Sequence, residues 1–254
     1  MAYDKINTVT NANLAKVNSL VKANIGKIDN IDAPASWTNS YSIDFDGTND
    51  YMTADGIFND ISVSAGTVSL WVKLDTSTYN DILFKFDVDK SNQVGIAYLS
   101  STTSMRFQYK AGGTNKSFDH SVGVEADGNW HHYVITWDTS ADQMKGYIDG
   151  SQVDSTQTGL GTWSGTINAF RIGANSIANN SYTNGRIDQV AIFTSVVSAS
   201  TLYNSGTPYD LSSMSNLVGY WEMNEGTGTS IADSSGTGNT GTLVNGAAFA
   251  SDVA

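Results

Sequence analysis

An alternating run at residues 130–137 limits the possible folds of this chain more than any other feature of its sequence. Bulky side chains fall on both faces of an extended strand: His131, Tyr133, Ile135 and Trp137 on one, and Trp130, His132, Val134 and Thr136 on the other. A turn at 138–142 leads into a second run at 143–148, which ends on Asp149-Gly150, a dipeptide that favours tight hairpin turns. The segment therefore predicts a β-hairpin.

Similar alternating runs recur along the chain. They lie at 42–46, 67–75, 81–86, 93–99, 105–109, 167–173 and 185–193. Gly, Asn, Asp and Ser fill the intervals, as in short strands joined by tight turns. A chain of 254 residues can bury one substantial core, and all-β sandwiches of this size often form a single domain. We therefore predict one main all-β domain, with a helix of one or two turns at 198–203 capped by Ser198.

Several of these motifs resemble those of laminin G-like, concanavalin A-like domains. The motifs are the Trp130-His131-His132 strand, the Trp137-Asp138 end, the Tyr147-Ile148-Asp149-Gly150 hairpin, Phe45-Asp46-Gly47 and Arg186-Ile187-Asp188. The resemblance covers residues 36–206 and implies a jelly-roll β-sandwich of two antiparallel sheets. Because this family includes lectins, adhesion modules, enzymes and structural domains, the resemblance says more about fold than about function.

The segment 217–254 resembles one that precedes the Phe-Asp-Gly strand in many relatives, yet here it follows the rest of the domain. The ends of a sandwich commonly lie close together, so a circular permutation would let 218–223 and 240–244 complete the same sheets. A truncated second domain is the alternative, but so short a segment cannot form a sandwich alone. We predict a single sandwich over 36–254.

Residues 1–31 contain three copies of one pattern spaced by eleven residues, beginning at Lys5, Lys16 and Lys27. On a helix this period returns to nearly the same face, as in right-handed coiled coils. The apolar stripe would comprise Ile6, Val9, Leu14, Val17, Leu20, Ile25, Ile28 and Ile31. Asn and β-branched residues weaken the helix, so short strands joined by turns are the alternative. Either form would need to dock on another chain or to self-associate, with a trimer favoured, so 1–35 is interpreted as an attachment or oligomerisation segment with its linker.

Charge and composition exclude several partners. A net charge of -12 argues against binding to nucleic acid or to an anionic membrane surface. No apolar stretch is long enough to span a bilayer, and the polar start lacks the basic and apolar regions of a signal peptide. The chain has no Cys for a disulfide or thiol site. We therefore expect a soluble protein that does not insert into membranes.

One structural Ca²⁺ is the cofactor that the resemblance implies. Asp46, Asn49 and Asp50 lie in a Gly-containing turn. The resemblance suggests that backbone oxygens of such a turn, together with the side chain of Asp188, hold the ion, and Ca²⁺ takes about six to eight oxygen ligands. The alternative is that the turn residues only cap the turn and that Asp188 bonds to the backbone.

Catalysis is not predicted. Relatives that cleave β-glucans place two Glu and an Asp on one face of a strand, whereas this chain has Glu only at 125, 222 and 225 and lacks such a run. Sugar binding without catalysis is a better fit. Tyr79, Trp163 and Tyr182 lie in polar loops where aromatic rings can stack on sugars, although Trp163 and Tyr182 could instead cover the sandwich edge.

The repeats and the displaced Gly-Tyr-Trp segment resemble structural proteins of marine bacteriophage particles, such as fibres and capsid-decorating proteins. We therefore predict a noncatalytic virion surface protein. Residues 1–31 would attach to other virion proteins, and the sandwich would stabilise the particle or bind host glycans. A free or cell-surface carbohydrate-binding lectin and a degenerate glycanase are the alternatives.

Overall fold

Two antiparallel sheets make up the computed structural model, which describes residues 37–75, 81–121, 127–176 and 181–254. Within these ranges the strands are β1 (Ser42–Asp46), β2 (Tyr51–Thr53), β3 (Ala65–Leu74), β4 (Asp81–Asp89), β5 (Asn92–Leu99), β6 (Ser104–Ala111), β7 (Thr114–Ser121), β8 (His131–Asp138), β9 (Gln143–Ile148), β10 (Ser151–Gln157), β11 (Ala169–Ile172), β12 (Asn184–Phe193), β13 (Leu217–Trp221), β14 (Ser230–Ile231), β15 (Gly241–Val244) and β16 (Ala248–Ala250). The helical elements are α1 (Ala199–Tyr203) and two 3-10 helices, Asp55–Asn59 and Asn204–Gly206. The predicted all-β class is confirmed.

The sheets have a jelly-roll order. The first sheet runs β10-β9-β8-β3-β12-β1-β16, and β13 also pairs with β12. The second runs β14-β15-β2-β11-β4-β5-β6-β7. The hairpin predicted from 130–150 forms β8 and β9, with Tyr133 opposite Ile148 and Trp137 opposite Met144. The predicted two-sheet sandwich is confirmed.

Trp137 lies at the centre of the core between the sheets. Its ring is fully buried, 5.8 Å from the ring of Phe86 in β4 and 6.4 Å from that of Tyr109 in β6. Gly66 is its neighbour on β3. A Cβ at Gly66 would stand 2.2 Å from Cζ2 of Trp137, so this position needs glycine. Alternation in β8 thus places the largest ring of the strand between the two sheets.

The outer face of the first sheet is covered by the chain itself. A second apolar cluster packs there, made of Val134, Ala191, Phe193, Ala199, Leu202, Leu211, Leu217 and Tyr220. Helix α1 supplies part of this cover. Ser198 precedes the helix as predicted, but its hydroxyl pairs with Ser200 and caps no helix N–H group. No helix of the described residues covers the outer face of the second sheet, which leaves that face as the more open surface.

The segment 217–254 adds strands to both sheets. In the first sheet β13 pairs with β12, and β16 pairs with β1. In the second, β15 lies between β14 and β2. The described residues from Thr38 to Ala254 belong to one compact unit.

The predicted assembly segment lies outside the described residues, which begin at 37, so the stripe of residues 6–31 and its helix-or-strand alternative stay predictions. Along the described ranges, no helix has the length and apolar character needed to cross a membrane.

Candidate functional site

Polar side chains face outward from the centre of the second sheet. In β4, Lys85 alternates with the buried Phe84 and Phe86. The register places Lys85 opposite Gly95 of β5, and Gly95 opposite Gln108 of β6. The next row places Ala97 of β5 opposite Arg106, which in turn faces Asp119 of β7. Long polar residues therefore flank two small residues on the same face.

A recess of about 190 Å³ opens where those small residues lie. Gly95 and Ala97 form its floor, and Lys85, Arg106 and Gln108 are among the residues that line it. The floor cannot be filled freely, because a Cβ at Gly95 would meet the carbonyl oxygen of Phe84 at 3.2 Å. We name this cavity the β5 recess.

Two ionic contacts orient the basic side chains of the β5 recess. Arg106 donates from Nε and Nη2 to the two carboxylate oxygens of Asp119, each at 2.7 Å. This bidentate geometry fixes the guanidinium plane. The pair is about 40% and 35% exposed, so its contribution to stability is small.

Lys85 is more buried, with 11% of its side chain exposed. Its Nζ donates to Oδ1 of Asn175 at 3.2 Å and lies 4.0 Å from the carboxylate of Asp87. Burial lowers the pKa of Lys85 and raises the pKa of Asp87, against the mutual attraction of the two charges and the hydrogen bond from Ser176 to Asp87. Asn175 therefore holds the lysine in place.

A ladder of amide side chains continues across β5, β6 and β7. Gln93 donates to Gln108 at 2.7 Å, Gln108 donates to Asn115 at 2.9 Å, and Asn115 donates to Ser117 at 3.3 Å. Each bond orients the next amide. The result is a fixed set of donors and acceptors suited to the hydroxyl groups of a bound polyol.

A second recess, also about 190 Å³, lies over β2 and β11. Its lining includes Tyr51, Arg171 and Ser176. The guanidinium carbon of Arg171 stands 4.1 Å from the centre of the Tyr51 ring, a cation–π contact. Arg171 also donates to the backbone carbonyl of Asn175 at 3.1 Å. Asn175 therefore links the two recesses, since its amide holds Lys85.

The three aromatic residues predicted to bind sugar have different positions. Trp163 packs beside Phe86 and Tyr109, with ring centres 6.0 and 6.1 Å away, so it covers the core edge, as the alternative stated. Tyr182 is half-buried and forms a β-bridge with Ala174. Tyr79 lies outside the described residues. A sugar contact by Tyr79 or Tyr182 stays a prediction.

The first group of predicted calcium ligands lies in the turn between β1 and β2. Asp50 accepts the backbone N–H of Asp46 at 3.2 Å through Oδ2. Its Oδ1 is buried and has no hydrogen-bond partner within the described structure. Asn49 lies beside it and accepts a bond from Asn245 through its backbone carbonyl. An orphan carboxylate oxygen fits a cation, and burial raises the pKa of Asp50.

Asp188 belongs to a different place, which corrects the predicted ligand set. Asp46 pairs with Asn184 of β12, and Asp188 lies four residues further along that strand. At the rise of a β-strand this separation is about 13 Å. Asp188 and the turn residues therefore cannot bind the same ion.

Asp188 instead contacts Asn39 and the backbone of Ala254. It accepts from Nδ2 of Asn39 at 2.7 Å and from the N–H of Ala254 at 3.1 Å. The Oδ1 atoms of both Asp188 and Asn39 are buried without a partner in the described part of the chain. Burial raises the pKa of Asp188 to about 7, against these hydrogen bonds. Since no three His, Cys, Asp or Glu side chains of the described residues cluster, an ion at either place would need amide or backbone oxygens.

The two adjacent histidines turn in opposite directions, so they share no ligand sphere. His131 places Nδ1 2.8 Å from Asp149. His132 is fully buried, with Nε2 2.7 Å from the Ser69 hydroxyl and its ring 4.8 Å from that of Trp71. Burial lowers the pKa of His132 to about 4. Both residues are part of the sheet packing.

Lys85, Arg106 and Gln108 were not among the predicted site residues. A local signal was present, because each alternates with aromatic residues that point into the core, as in Phe84-Lys85-Phe86. Their meeting around one recess depends on the pairing of β4, β5 and β6, which no single strand reveals.

An open polar face on a two-sheet jelly roll defines a lectin-like sandwich. The sequence gives the particular family: residues 46–202 match the concanavalin A-like lectin/glucanases superfamily, and the chain belongs to that family. This match covers more than half of the chain. A search of curated protein sequences found no match to this chain.

Solved structures share the fold at low sequence identity. A candidate carbohydrate-binding protein from Bacteroides ovatus ATCC 8483 is 16% identical, with a TM-score of 0.62 over 85% of this chain and 60% of that protein. The CBM40 module of the Ruminococcus gnavus IT-sialidase, bound to α2,6-sialyllactose, is 13% identical, with a TM-score of 0.54 over 67% and 97%. The NanB sialidase of Streptococcus pneumoniae is 17% identical, with a TM-score of 0.53 over 66% and 27%.

Proposed function

We propose that this chain is a noncatalytic carbohydrate-binding module that binds glycans on the outer face of its second sheet. The β5 recess carries the proposal, because oriented polar side chains wall a concave space on an open face. Its volume of about 190 Å³ lies below the roughly 300–1,000 Å³ of sites for drug-sized ligands, which suits a single sugar residue. The carbohydrate-binding description of the Bacteroides ovatus protein is consistent with this proposal.

The positions of the carboxylates on this face support a noncatalytic role. Asp87 lies on β4 and Asp119 on β7, three strands away in the sheet. At the strand spacing of a sheet they are at least about 14 Å apart, and more because Asp87 is in register with Asn115, four residues from Asp119. Glycosidases hold their two carboxylates roughly 5–9.5 Å apart. Asp119 also accepts hydrogen bonds from Arg106. The two carboxylates of Asp87 and Asp119 therefore do not fit the arrangement needed for glycoside cleavage.

Filling the β5 recess tests the proposal. We expect the full chain to bind members of a panel of mono- and disaccharides, detected by saturation-transfer NMR and titration calorimetry. Ala97→Leu should abolish this binding, because the larger side chain occupies the floor of the recess. Ala141→Leu is the matched control, since Ala141 lies in the β8–β9 turn of the other sheet. Binding that survives Ala97→Leu would place the site elsewhere, and a chain that binds no sugar would refute the function.

We further propose, as a second step, that residues 1–31 attach this module to other proteins of a virion surface, in a head fibre, a tail fibre or a capsid decoration. The eleven-residue repeat favours an assembly segment. Light scattering after gel filtration should give an oligomer, with a trimer favoured, for the full chain and a monomer for a chain that begins at Ser36. If both are monomers, self-association is excluded, and docking of residues 1–31 on a different protein or a free lectin role becomes the better description.

A further inference from the structure

We propose that the β5 recess selects sugar residues that carry an anionic substituent, a carboxylate or a sulfate. This inference rests on the proposed glycan-binding function and specifies its ligand class. It is carried by the hydrogen-bonding capacity that remains at the walls of the recess.

The charged side chains that line the recess are both cations, and their carboxylate partners, Asp119 and Asp87, are not among the lining residues. The whole chain has 25 acidic and 13 basic residues, with a net charge of -12. Lys85 and Arg106 line the recess from opposite sides, on β4 and β6, and none of the described residues that line it is acidic. An anion in the recess would therefore lie nearest to two cations, and their attraction would exceed the repulsion from the more distant carboxylates of Asp119 and Asp87.

Most of the hydrogen-bonding groups that remain free at the walls are donors. Arg106 uses Nε and Nη2 for Asp119, which leaves N–H groups on Nη1. Lys85 has three N–H groups and gives one to Asn175. The amide of Gln108 keeps one N–H group and one oxygen lone pair, because its oxygen accepts one bond from Gln93 and its nitrogen donates one to Asn115. A ligand group made only of acceptor oxygens matches this surplus of cationic donors better than a hydroxyl does.

The walls are also preorganised. Asp119 fixes the plane of the Arg106 guanidinium, and Asn175 holds the Lys85 ammonium in a side chain that is only 11% exposed. Partial burial reduces screening by solvent and salt, so the attraction to an anion is stronger than at a fully exposed lysine. Less side-chain entropy is lost on binding when the donors are already in place.

Matched sugar pairs test this selectivity on the full chain. Methyl β-glucuronide is compared with methyl β-glucoside, and galactose 6-sulfate with galactose, by titration calorimetry. N-acetylneuraminate serves as a third source of a carboxylate. We expect the anionic member of at least one pair to bind about tenfold tighter or more, as charge-assisted hydrogen bonds allow. Raising NaCl from about 0.05 to about 0.5 M should reduce that preference.

Substitutions at the walls of the recess test whether Lys85 and Arg106 cause the preference for anionic sugars. Lys85→Met and Arg106→Gln should each remove most of it. Lys110→Gln removes one positive charge from the same outer face of β6 but outside the recess, so it should change affinity by about twofold or less, as for an exposed charge. Thermal melting checks that each variant folds.

The outcomes separate the two proposals. Equal affinity for anionic and neutral sugars would overturn the anionic preference and leave glycan binding intact. A loss in Lys110→Gln as large as in Arg106→Gln would also overturn it, because a general field would then be responsible. Failure to bind any sugar would overturn both proposals.

Discussion

Asn39 donates a 2.7 Å hydrogen bond from its side-chain amide to Asp188, which lies 149 residues later in the chain. Each residue keeps one buried oxygen without a partner in the described structure. A buried oxygen without a donor is costly, and a cation bound at Asp188 would satisfy its free carboxylate oxygen. This pair ties the chain before β1 to the middle of β12.

Calcium should therefore stabilise the protein through Asp188. We expect saturating Ca²⁺ to raise the melting temperature by roughly 5–10 °C, the size that tight binding gives for a domain of this length. Asp188→Asn should remove this rise, since it takes away the charge of the ligand. Differential scanning calorimetry with Ca²⁺ or a chelator measures both.

Asp50→Asn is the control for the other group of predicted ligands. If Ca²⁺ still raises the melting temperature of Asp50→Asn but not that of Asp188→Asn, the ion binds at the Asn39–Asp188 pair. The reverse pattern would assign it to the turn between β1 and β2. No effect of Ca²⁺ on the unmodified chain would contradict the predicted cofactor.

Acid should destabilise the protein through His132. Burial lowers its pKa to about 4 in the folded state from an ordinary value of 6.5. The unfolded chain takes up a proton below pH 6.5 while the folded chain does not, so this contribution is present above 6.5 and is lost as pH falls toward 4. The loss is on the order of 3 kcal/mol. The raised pKa of Asp188, about 7, acts in the opposite direction over the same range, so the His132 contribution is measured as the difference between the unmodified chain and His132→Gln in urea unfolding between pH 4 and 7.

His132→Gln should remove this loss of stability in acid, because its amide nitrogen can still reach the Ser69 hydroxyl and does not titrate. His120→Gln is the control, since His120 lies on the edge strand β7 with 34% of its side chain exposed. An unchanged slope in His132→Gln would show that another group governs the acid response.

Gly66→Ala should destabilise the core by about 1–3 kcal/mol, the range for overpacking. The added Cβ would overlap the Trp137 ring. Trp137→Phe removes the outer ring of the indole, so in the double variant the two effects should fall short of additivity by at least about 1 kcal/mol. Urea unfolding of the four chains completes the cycle. Strict additivity would mean that the two residues do not constrain each other.

Asp252 should hold the final residues on the first sheet. Its carboxylate accepts from Lys73 at 2.7 Å, from Arg186 at 2.9 Å and from Trp130 at 3.2 Å. We expect Asp252→Ala to lower the free energy of unfolding by about 1 kcal/mol or less, because the Lys73–Asp252 ion pair is partly exposed. The loss should be smaller in high salt. Hydrogen exchange should become faster in β16 and stay unchanged in β8. Equal acceleration in both strands would indicate global rather than local loosening.

Local alternation predicted much of the fold. The predicted bounds of β1 and β9 match the structure, and β8 is shifted by one residue. These predictions succeeded for one reason. A strand points successive side chains to opposite faces, so adjacent residues alone reveal its two-residue period. β7 was not predicted, because as an edge strand it buries little and its sequence lacks the alternation.

The candidate site depends on contacts that adjacent residues do not encode. Gly95 and Ala97 form a recess only because Lys85 and Arg106 stand on the neighbouring strands. The calcium ligands were wrongly grouped for the same reason. The register of β1 against β12 separates Asp46 from Asp188, and the role of Asn39 follows from a contact across most of the chain.

β1 lies between β12 and β16, whose residues are 184–193 and 248–250. During synthesis, both edges of residues 42–46 therefore stay unpaired until β12 has left the ribosome, and the edge for β16 stays unpaired until residue 250 has left it. Pairing over such sequence distances is slow, and open strand edges invite pairing with neighbouring nascent chains. The first sheet is therefore completed only after more than 200 further residues have been made, and the yield of folded protein should respond to growth temperature and chaperone supply more than to the stability of the finished sandwich.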